Sequence, residues 1–355
     1  MRILRRYITK QVFFSILAVL LLVLCLDFIG QVMDQLDRLG GNYTFYEMLM
    51  YILWRLPTSV YQYMPYAVLV GCLIGLGALA SSSELVIVRA AGISVARIIG
   101  IVLQPVMLFI ICTISLGEFV IPYADQVADS RRALALGYTV DDQARRGVWH
   151  REGNQFFYFS VVQPDGKLFG FRRYTFSDNG KLTEASFTGS AAFNEAEGVW
   201  LEKDVAVTAF SDQGTASQEF AERRWDTELT PTLLNTVAVE PETLSMTSLH
   251  GYVQYLAGQG LYTREYELAF WQKLLQPLAI ASLVLIAASF VFGPLREVSM
   301  GQRIFTGVVF GIGFRLLQSL LGPSSIVFGF SPLIAVLLPI ALCAGLGVYL
   351  LRRAG

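Results

Sequence analysis

The sequence predicts an α-helical membrane protein in which six transmembrane helices, arranged three plus three, flank an inserted antiparallel β-domain. Its 355 residues are 54% hydrophobic and only 15% charged, a composition too apolar for one soluble core. Residues 56–83 contain no charged side chain, and four other long charge-free runs suit the length of about 20 residues that a bilayer requires. A polar, turn-rich block separates the third span from the fourth.

The spans are predicted near residues 11–33, 58–80, 97–123, 267–293, 303–322 and 332–351. The first follows a basic segment but has no small-residue cleavage site before Asp27, so it is predicted to be a retained span rather than a signal peptide. Short loops on one side of the membrane carry nearly all the arginines, and those on the other side offer Arg38 alone. This asymmetry predicts that both termini are cytoplasmic and that the insert is external.

Residues 1–135 hold the first three spans, and within them residues 81–92 are predicted to form a short cytoplasmic helix. Ser81–Ser83 can cap its start, Glu84 lies in its first turn, Arg89 lies near its end and Gly92 follows it. A helix of this kind is either a docking element for a partner or a simple connector. The residues alone leave both readings open.

The insert, residues 136–246, is predicted to be an antiparallel β-domain. Its turn signals separate stretches rich in aromatic or β-branched residues, and they fall at Gly153, Pro164–Gly166, Asn179-Gly180, Gly198 and Gly214. Residues 247–355 form the last segment, in which Thr247–Glu267 has helical character and leads into the last three spans.

Arg315 is predicted to lie deep in the fifth span. At 1.5 Å per residue it is about 18 Å from Arg303, just past the midplane of a hydrocarbon core of about 30 Å. An arginine at that depth usually faces a protein interior or a watery cavity and marks a transport pathway. The alternative is a side chain that snorkels to the interface or pairs with a carbonyl at a helix end.

Further charges either bound the apolar runs at the outer headgroup level or lie just outside them. Each of them, taken alone, is interpreted as a solvated charge at the membrane interface. Together they could receive a phosphorylated headgroup, because the arginine guanidinium matches phosphate oxygens well. The residues concerned are Asp27, Asp34, Asp37, Arg38, Arg55, Glu118, Arg131, Arg132 and Lys273.

Several classes of function are disfavoured. The sequence has no G-x-x-x-x-G-K-[ST] nucleotide loop, and both histidines, His150 and His250, lie outside the spans, which disfavours an intramembrane Ser-His hydrolase. Residues 139–245 hold 17 acidic against 10 basic side chains, which disfavours nucleic acid as a partner. No His and carboxylate cluster has metal-ligand spacing, and the cysteines at 25, 72, 112 and 343 are interpreted as small core residues. Transport against a gradient would need energy from another protein.

In order along the chain, five motifs resemble those of the lipopolysaccharide export permeases of the LptF/LptG family. They are Ser83–Val86 with Ala91-Gly92, Gly117–Val120 with Pro122, Gln276–Leu278, Phe292–Arg296, and Met300-Gly301. The likeness covers the whole chain, and the Phe292–Arg296 loop favours the LptG branch. Some members carry lysines at the outer end of the first span, where this chain has Gln31, Asp37 and Arg38.

The resemblance implies a permease subunit of an ABC transporter in the bacterial inner membrane, with a β-jellyroll in the periplasm. Its partners would be an LptF-like permease, an LptB-like ATPase dimer and an LptC-like bitopic protein. ATP would be used by the ATPase, and this chain would bind no cofactor itself. Lipopolysaccharide would enter laterally from the outer leaflet, past the first and fifth spans, and leave onto a periplasmic jellyroll bridge toward the outer membrane.

The resemblance also suggests roles for three groups of residues. The ATPase would dock on Glu84 and its neighbours Leu85, Val88 and Arg89. The lipopolysaccharide phosphates would meet Arg38, Arg55, Arg131, Arg132, Lys273 and Arg315. Acyl chains would slide along Phe157, Phe159 and Phe171, whose alternation suggests an open apolar inner surface, although an ordinary closed core would show the same alternation.

Two other classes of function fit parts of the sequence. An ion-coupled secondary lipid carrier could use Asp27 and Arg315, but it does not require an external β-domain, and the sequence shows no repeated pair of interrupted helices. A non-transporting envelope assembly scaffold would explain the β-domain but not an intramembrane arginine. Loss of transport without an ATPase would exclude the carrier, and lipid extraction by the reconstituted protein would exclude the scaffold.

Overall fold

The computed structural model of the chain describes residues 2–136, 148–162, 167–194, 197–211, 214–225, 227, 231, 234, 240–258, 262–293 and 298–354. These residues divide into two compact units. The first comprises residues 1–31, 56–121 and 245–355, and the second comprises residues 32–55 and 122–244.

Within the described residues, six helices are long and apolar enough to cross a membrane, as the sequence predicts. The first two are α1 (Arg2–Leu36) and α2 (Phe45–Ser81). The third span joins α4 (Val95–Ser115), a π-helical turn (Leu116–Val120) and α5 (Ile121–Leu136). The last three are α7 (Arg264–Phe292), α8 (Met300–Phe328) and α9 (Pro332–Ala354). Several extend well beyond the predicted spans, because hydropathy marks only the apolar part of a helix.

The predicted short helix is α3, Glu84–Ala90. The expected serine cap is wrong: Ser83 has a left-handed backbone (φ 61°) and makes no side-chain cap bond. Its carbonyl instead accepts from the amides of Val86 and Ile87, at 3.1 and 3.2 Å. Gly92, at φ +82°, ends the turn that follows, as the sequence suggests.

The core of the first unit is centred on α2, of whose most apolar 18-residue stretch 72% is buried. A Cβ added at Gly71 would lie 2.5 Å from the Ile16 Cα, so this glycine lets the backbones of α1 and α2 approach closely. Gly307 of α8 lies against the Leu73 side chain in the same way. Small residues at such contacts are how membrane helices pack without a solvent-driven force.

The second unit contains a fully antiparallel sheet, which confirms the predicted β-domain. Its strands are β1 (Val148–Glu152), β2 (Gln155–Phe159), β3 (Val161–Val162), β4 (Leu168–Phe176), β5 (Leu182–Asn194), β6 (Val199–Ser211) and β7 (Gly214–Trp225). The order is β1-β2-β4-β5-β6-β7, and β3 also pairs with β4. Gly153 and Gly180 adopt positive φ in the predicted turns, whereas Pro164–Gly166 lies outside the described residues.

One face of this sheet carries an aromatic core of Phe157, Phe159, Leu168, Phe171, Ala191, Trp200, Trp225 and Leu234. Back in the first unit, α6 (Met246–Gly258) precedes α7. This helix confirms the helical character predicted for the polar stretch that begins at Thr247.

Candidate functional site

Arg315 lies in the middle of α8 and is exposed. Its guanidinium lies near the side chains of Tyr63 and Tyr66, both on α2. The helix that carries it is packed less than any other candidate span within the described chain, since 17% of its most apolar 18-residue stretch is buried. An exposed cation at mid-helix is therefore open to a ligand rather than enclosed in the core.

Asp27, on α1, lies in the same polar cluster. The Tyr63 hydroxyl donates to its Oδ1 at 2.8 Å, and the Ser59 hydroxyl donates to its Oδ2 at 2.6 Å. Gln31 Nε2 donates to the same Oδ2. The sequence predicts Asp27 as an outer charge but does not predict these partners. A signal was present, because Asp27 and Gln31, like Ser59 and Tyr63, are four residues apart and share a helix face.

Lys273, the other predicted cation of the first unit, is buried on α7 and lies with its Nζ 5.5 Å from the Tyr61 ring centroid. On the next turn, Gln276 Nε2 donates to the Tyr61 carbonyl at 3.3 Å. Tyr61 therefore connects α2 to α7 at this level. Lys273 is much less accessible than Arg315.

Arg55 and Arg132 come together in the second unit, on the Tyr51 side chain. Arg55 Nη1 donates to the Tyr51 hydroxyl at 2.8 Å, and Arg132 Nη1 donates to it at 3.2 Å. Arg132 also lies over the Tyr51 ring at 4.8 Å, and its Nε and Nη2 are buried without a hydrogen-bond partner among the residues that the structure describes. Two guanidinium groups thus converge on one phenol, and the carboxylates of Asp125 and Asp129 lie close enough to offset part of their charge.

The remaining two predicted cations are more accessible. Arg131 Nη2 pairs with Glu47 Oε1 at 3.2 Å, and 43% of its side chain is exposed. Arg38 is exposed. The structure thus groups Arg55, Arg131 and Arg132 around the start of α2 and the end of α5, and it places Lys273 and Arg315 in the first unit.

Glu118 has a structural partner that the sequence did not reveal. Its Oε2 accepts from the Met246 amide at 2.8 Å, and its Oε1 accepts from the Thr247 hydroxyl at 2.6 Å. Glu118 lies in the π-helical turn of the third span, and Met246 begins α6. The carboxylate therefore caps the amino-terminal end of α6, where free amides and the helix dipole favour an anion.

We expect Glu118→Ala to destabilise the attachment of α6 by about 1–2 kcal/mol, the cost of losing a cap. Hydrogen exchange of the α6 amides in the full chain measures it, with Glu265→Ala, an exposed acid, as the matched control. Protection of α6 equal to that of the control would show that the cap contributes no stability.

The predicted docking helix α3 presents a different apolar surface from the one expected. Leu85 and Val88 are 4% and 7% exposed and pack in the chain's own core. Val86 and Ile87 are 51% and 67% exposed. Leu85 and Val88 therefore hold α3 in place, and any apolar contact with a partner falls to Val86 and Ile87. Arg89 is exposed.

Glu84 is half-buried beside the start of α1. Its Oε1 accepts from the Ser82 hydroxyl at 3.0 Å and from the Tyr7 hydroxyl at 3.3 Å. The carboxylate is thus held by neutral donors only among its described hydrogen bonds. Its charge remains available to a basic group on another protein.

The three phenylalanines predicted to line an open surface are buried in the aromatic core. Phe157 and Phe171 are 0% exposed and Phe159 is 2% exposed. The Phe159 and Phe171 rings stack with centroids 5.2 Å apart, and Trp225 stacks on Phe171 at 4.7 Å. Contact between these rings and an acyl chain would require the stack to separate.

Beside this core lies a buried ion pair between Arg173 and Glu202, with 3.3 Å between Nη2 and Oε1. Burial raises the pKa of Glu202, although Arg173 and Arg223 oppose that shift. Burial likewise lowers the pKa of Arg173. Desolvation is the largest influence on both groups, so the pair is costly to bury.

No group of three or more His, Cys, Asp or Glu residues with metal-binding geometry occurs in the described part of the chain. Cys72 and Cys343 are buried, as expected of core residues, whereas Cys25 and Cys112 are exposed, so the core interpretation is wrong for those two. His250 is exposed, and its Nε2 lies 3.0 Å from Gln254 Nε2.

Comparison with known proteins gives a consistent result. Residues 6–353 match the family described as lipopolysaccharide export system permease LptF/LptG. The chain is 36% identical to the lipopolysaccharide export system permease protein LptG of Escherichia coli strain K12, over 99% of this chain and 98% of that protein. It is 32% identical to the protein of the same name from Haemophilus influenzae, over 98% of each chain.

Proposed function

Because the chain belongs to the LptF/LptG family of lipopolysaccharide export permeases, we propose that it is one of two permease subunits of an ABC transporter. In this proposal it extracts lipopolysaccharide from the outer leaflet of the inner membrane and passes it toward a periplasmic β-jellyroll bridge. Its family is one of transporters rather than enzymes, and its six apolar helices make it a multi-pass inner-membrane protein.

The observation that carries the proposal is the exposure of the first and fifth spans. Of their most apolar stretches, 22% and 17% are buried, against 72% for α2. Helices left unpacked in this way suit contact with a second, LptF-like permease and with lipid substrate between the two subunits. Arg315, exposed on the fifth span, would face that substrate.

The energy would come from an LptB-like ATPase dimer, because the sequence contains no nucleotide-binding loop of its own. The helix α3 would dock on it, with Glu84 as the charged contact and the exposed Val86 and Ile87 as the apolar contacts. The excess of arginine in the loops on that side supports cytoplasmic termini and a periplasmic sheet.

The lipopolysaccharide phosphates would bind the exposed cations first. Arg315, Arg131 and Arg38 are accessible, and Arg132 offers two buried donor nitrogens that no described group satisfies. Lys273 and Arg55 would act by raising the local positive potential. Phosphate recognition by several guanidinium groups fits a dianionic headgroup better than a neutral lipid.

Replacing Arg315 and Lys273 together by Ala should lower ATP-dependent release of lipopolysaccharide by about tenfold or more. The change removes the charge-assisted contact of Arg315, worth about 1.5–3 kcal/mol, together with the positive potential of Lys273. The measurement is release from proteoliposomes that contain the chain and its companion subunits. The matched control is Arg352→Ala with Arg353→Ala, which removes two exposed cations from the last turn of α9. Release at the parental rate, with ATPase bound, would contradict a role for these two cations.

The same assay separates the other classes of function. A secondary carrier would continue to transport without the ATPase when given an ion gradient, and a scaffold would not extract lipid at all. Extraction that requires ATP hydrolysis supports the permease proposal and excludes both.

Acyl chains would reach the β-domain only if its aromatic stack opens during handover, with an LptC-like protein as the next acceptor. Photo-crosslinkers at Phe157, Phe159 and Phe171 should then capture lipopolysaccharide only in the presence of ATP. A crosslinker at Phe187, which is 43% exposed on the same sheet, is the control. If no crosslink to lipopolysaccharide forms at any of the three buried positions while the domain is folded, these phenylalanines are core residues only.

A further inference from the structure

Asp27 is a carboxylate within the first membrane-spanning helix, and three side chains converge on it. Tyr63, Ser59 and Gln31 each donate a hydrogen bond to its oxygens, and Gln31 Nε2 also donates to the Ser59 hydroxyl at 3.0 Å. Neutral donors gathered around one negative charge are how a protein builds an anion site. In this structure the anion in that site is the Asp27 carboxylate itself.

A cation lies next to this site. The Arg315 guanidinium lies within side-chain hydrogen-bonding reach of the Tyr63 hydroxyl. Since the Tyr63 hydroxyl donates a hydrogen bond to Asp27, its oxygen remains able to accept one from Arg315. These three side chains therefore form a polar network that links the fifth, second and first spans, in the order Arg315, Tyr63, Asp27.

We propose that Tyr63 positions Arg315 for a lipid phosphate and that Asp27 is the counter-anion which that phosphate displaces. The inference rests on the proposed function, because it takes Arg315 as a headgroup contact. A charged side chain within a span is costly to leave alone, so Asp27 offsets the charge of Arg315 while the site is unloaded. A phosphate dianion brings more negative charge and can replace it.

The geometry leaves room for both contacts. A guanidinium has five N–H donors in a planar fork, and one phenol oxygen occupies only part of them. Because Arg315 is exposed, its other donors can meet a phosphate while Tyr63 holds it. Tyr63 is thus a positioning residue, and Asp27 sets how strongly the phosphate is preferred.

This arrangement predicts effects of opposite sign. Tyr63→Phe keeps the ring but removes the hydroxyl, so affinity for a phosphorylated lipid should fall by about tenfold, as expected for a hydrogen bond to a charged group. Asp27→Asn keeps the size and the acceptor oxygen but removes the competing charge, so affinity for the same lipid should rise by a similar factor. A network that only stabilises packing would not change the preference for phosphate in either direction.

The test uses the full chain with its co-purifying subunits in phosphatidylcholine nanodiscs, titrated with diphosphoryl and monophosphoryl lipid A. The measured quantity is the dissociation constant of monophosphoryl lipid A divided by that of diphosphoryl lipid A. A larger ratio means a stronger preference for the second phosphate. Glu265→Gln on α7 and Tyr46→Phe on α2 are exposed controls that should leave the ratio unchanged. We expect the ratio to fall in Tyr63→Phe, to rise in Asp27→Asn and to be lost in Arg315→Ala.

Three outcomes would overturn the inference. If only Arg315→Ala changes the ratio, Arg315 keeps its role and the network does not tune it. If Arg315→Ala leaves the ratio unchanged, the headgroup role of Arg315 fails too, while ATP-dependent release still tests the transport function separately. If millimolar inorganic phosphate displaces both lipids equally, the site binds a free anion rather than a lipid headgroup.

Discussion

Truncating Glu202 in the buried Arg173–Glu202 pair should lower the unfolding free energy of the β-domain by about 3–5 kcal/mol, because the Arg173 charge then stays buried without its ion-pair partner. Truncating Arg173 should cost less, because Arg223 Nε still lies 3.5 Å from Glu202 Oε2. Glu202 is 0% exposed and Arg173 is 5% exposed. The Arg173 guanidinium also lies 5.7 Å from the Trp225 ring centroid, so its loss removes contact with the aromatic core.

Replacing both residues with apolar ones, Arg173→Met with Glu202→Leu, should recover most of that loss. Burial opposes the charge of each partner, as the directions of their pKa shifts show, and apolar side chains of similar volume carry no such cost. Urea unfolding of the full chain, followed by tryptophan fluorescence, measures all three variants. Trp200 and Trp225 lie in the adjacent core and report on it directly.

The exposed pair Lys203–Glu222 is the matched control, with side chains 60% and 67% exposed. Truncating either of its members should change stability by about 1 kcal/mol at most. Equal effects at the buried and exposed pairs would contradict the account of the buried one.

The pKa of Glu202 adds a pH dependence of known sign. Because burial raises this pKa in the folded state, the folded domain binds a proton more readily than the unfolded chain. The stability contributed by this group is therefore full below its unfolded pKa and is lost as pH rises through the folded value. Glu202→Gln should flatten that part of the pH profile.

The spans and the sheet could be predicted because their signals are local. An uninterrupted apolar run must satisfy its backbone within a helix, whatever it packs against. Glycines that turn the chain, such as Gly153 and Gly180, likewise act within a few residues. The helix ends were less predictable, since α2 begins at Phe45 in sequence that hydropathy alone does not mark as a span.

The site was only partly predictable, because its contacts join residues far apart in the chain. Glu118 meets Met246 and Thr247 more than 100 positions away, and nothing near Glu118 in the sequence indicates a helix cap. The depth of Arg315 in its span indicates it from the sequence, but nothing in the sequence indicates that Tyr63 lies next to it. The alternation at Phe157 and Phe159 predicts an inner face but not whether that face is closed, since closure depends on Trp225 and Leu234 from later segments.

Replacing Glu84 by Ala should reduce co-purification of the ATPase by about 30-fold or more. A charge pair that becomes buried on docking typically costs 2–5 kcal/mol to break, partly through the partner's stranded charge. Tyr7 and Ser82 hold the carboxylate in the free chain, so an alternative is that Glu84 only fixes α1 against α3. Tyr7→Phe separates the two roles, because it removes the hydroxyl that reaches Glu84 and leaves the charge.

Pull-down of the full chain from membranes, with the ATPase quantified against inserted permease, measures both variants beside Glu265→Ala, an exposed acid in the first turn of α7. Loss in Glu84→Ala alone places the charge in the docking contact, because only that variant removes it. Equal loss in Tyr7→Phe would assign Glu84 to holding α1, and full recovery in Glu84→Ala would remove it from the interface. Val86→Ser with Ile87→Ser then tests the apolar half of the same surface, since these two side chains are exposed while Leu85 and Val88 are not.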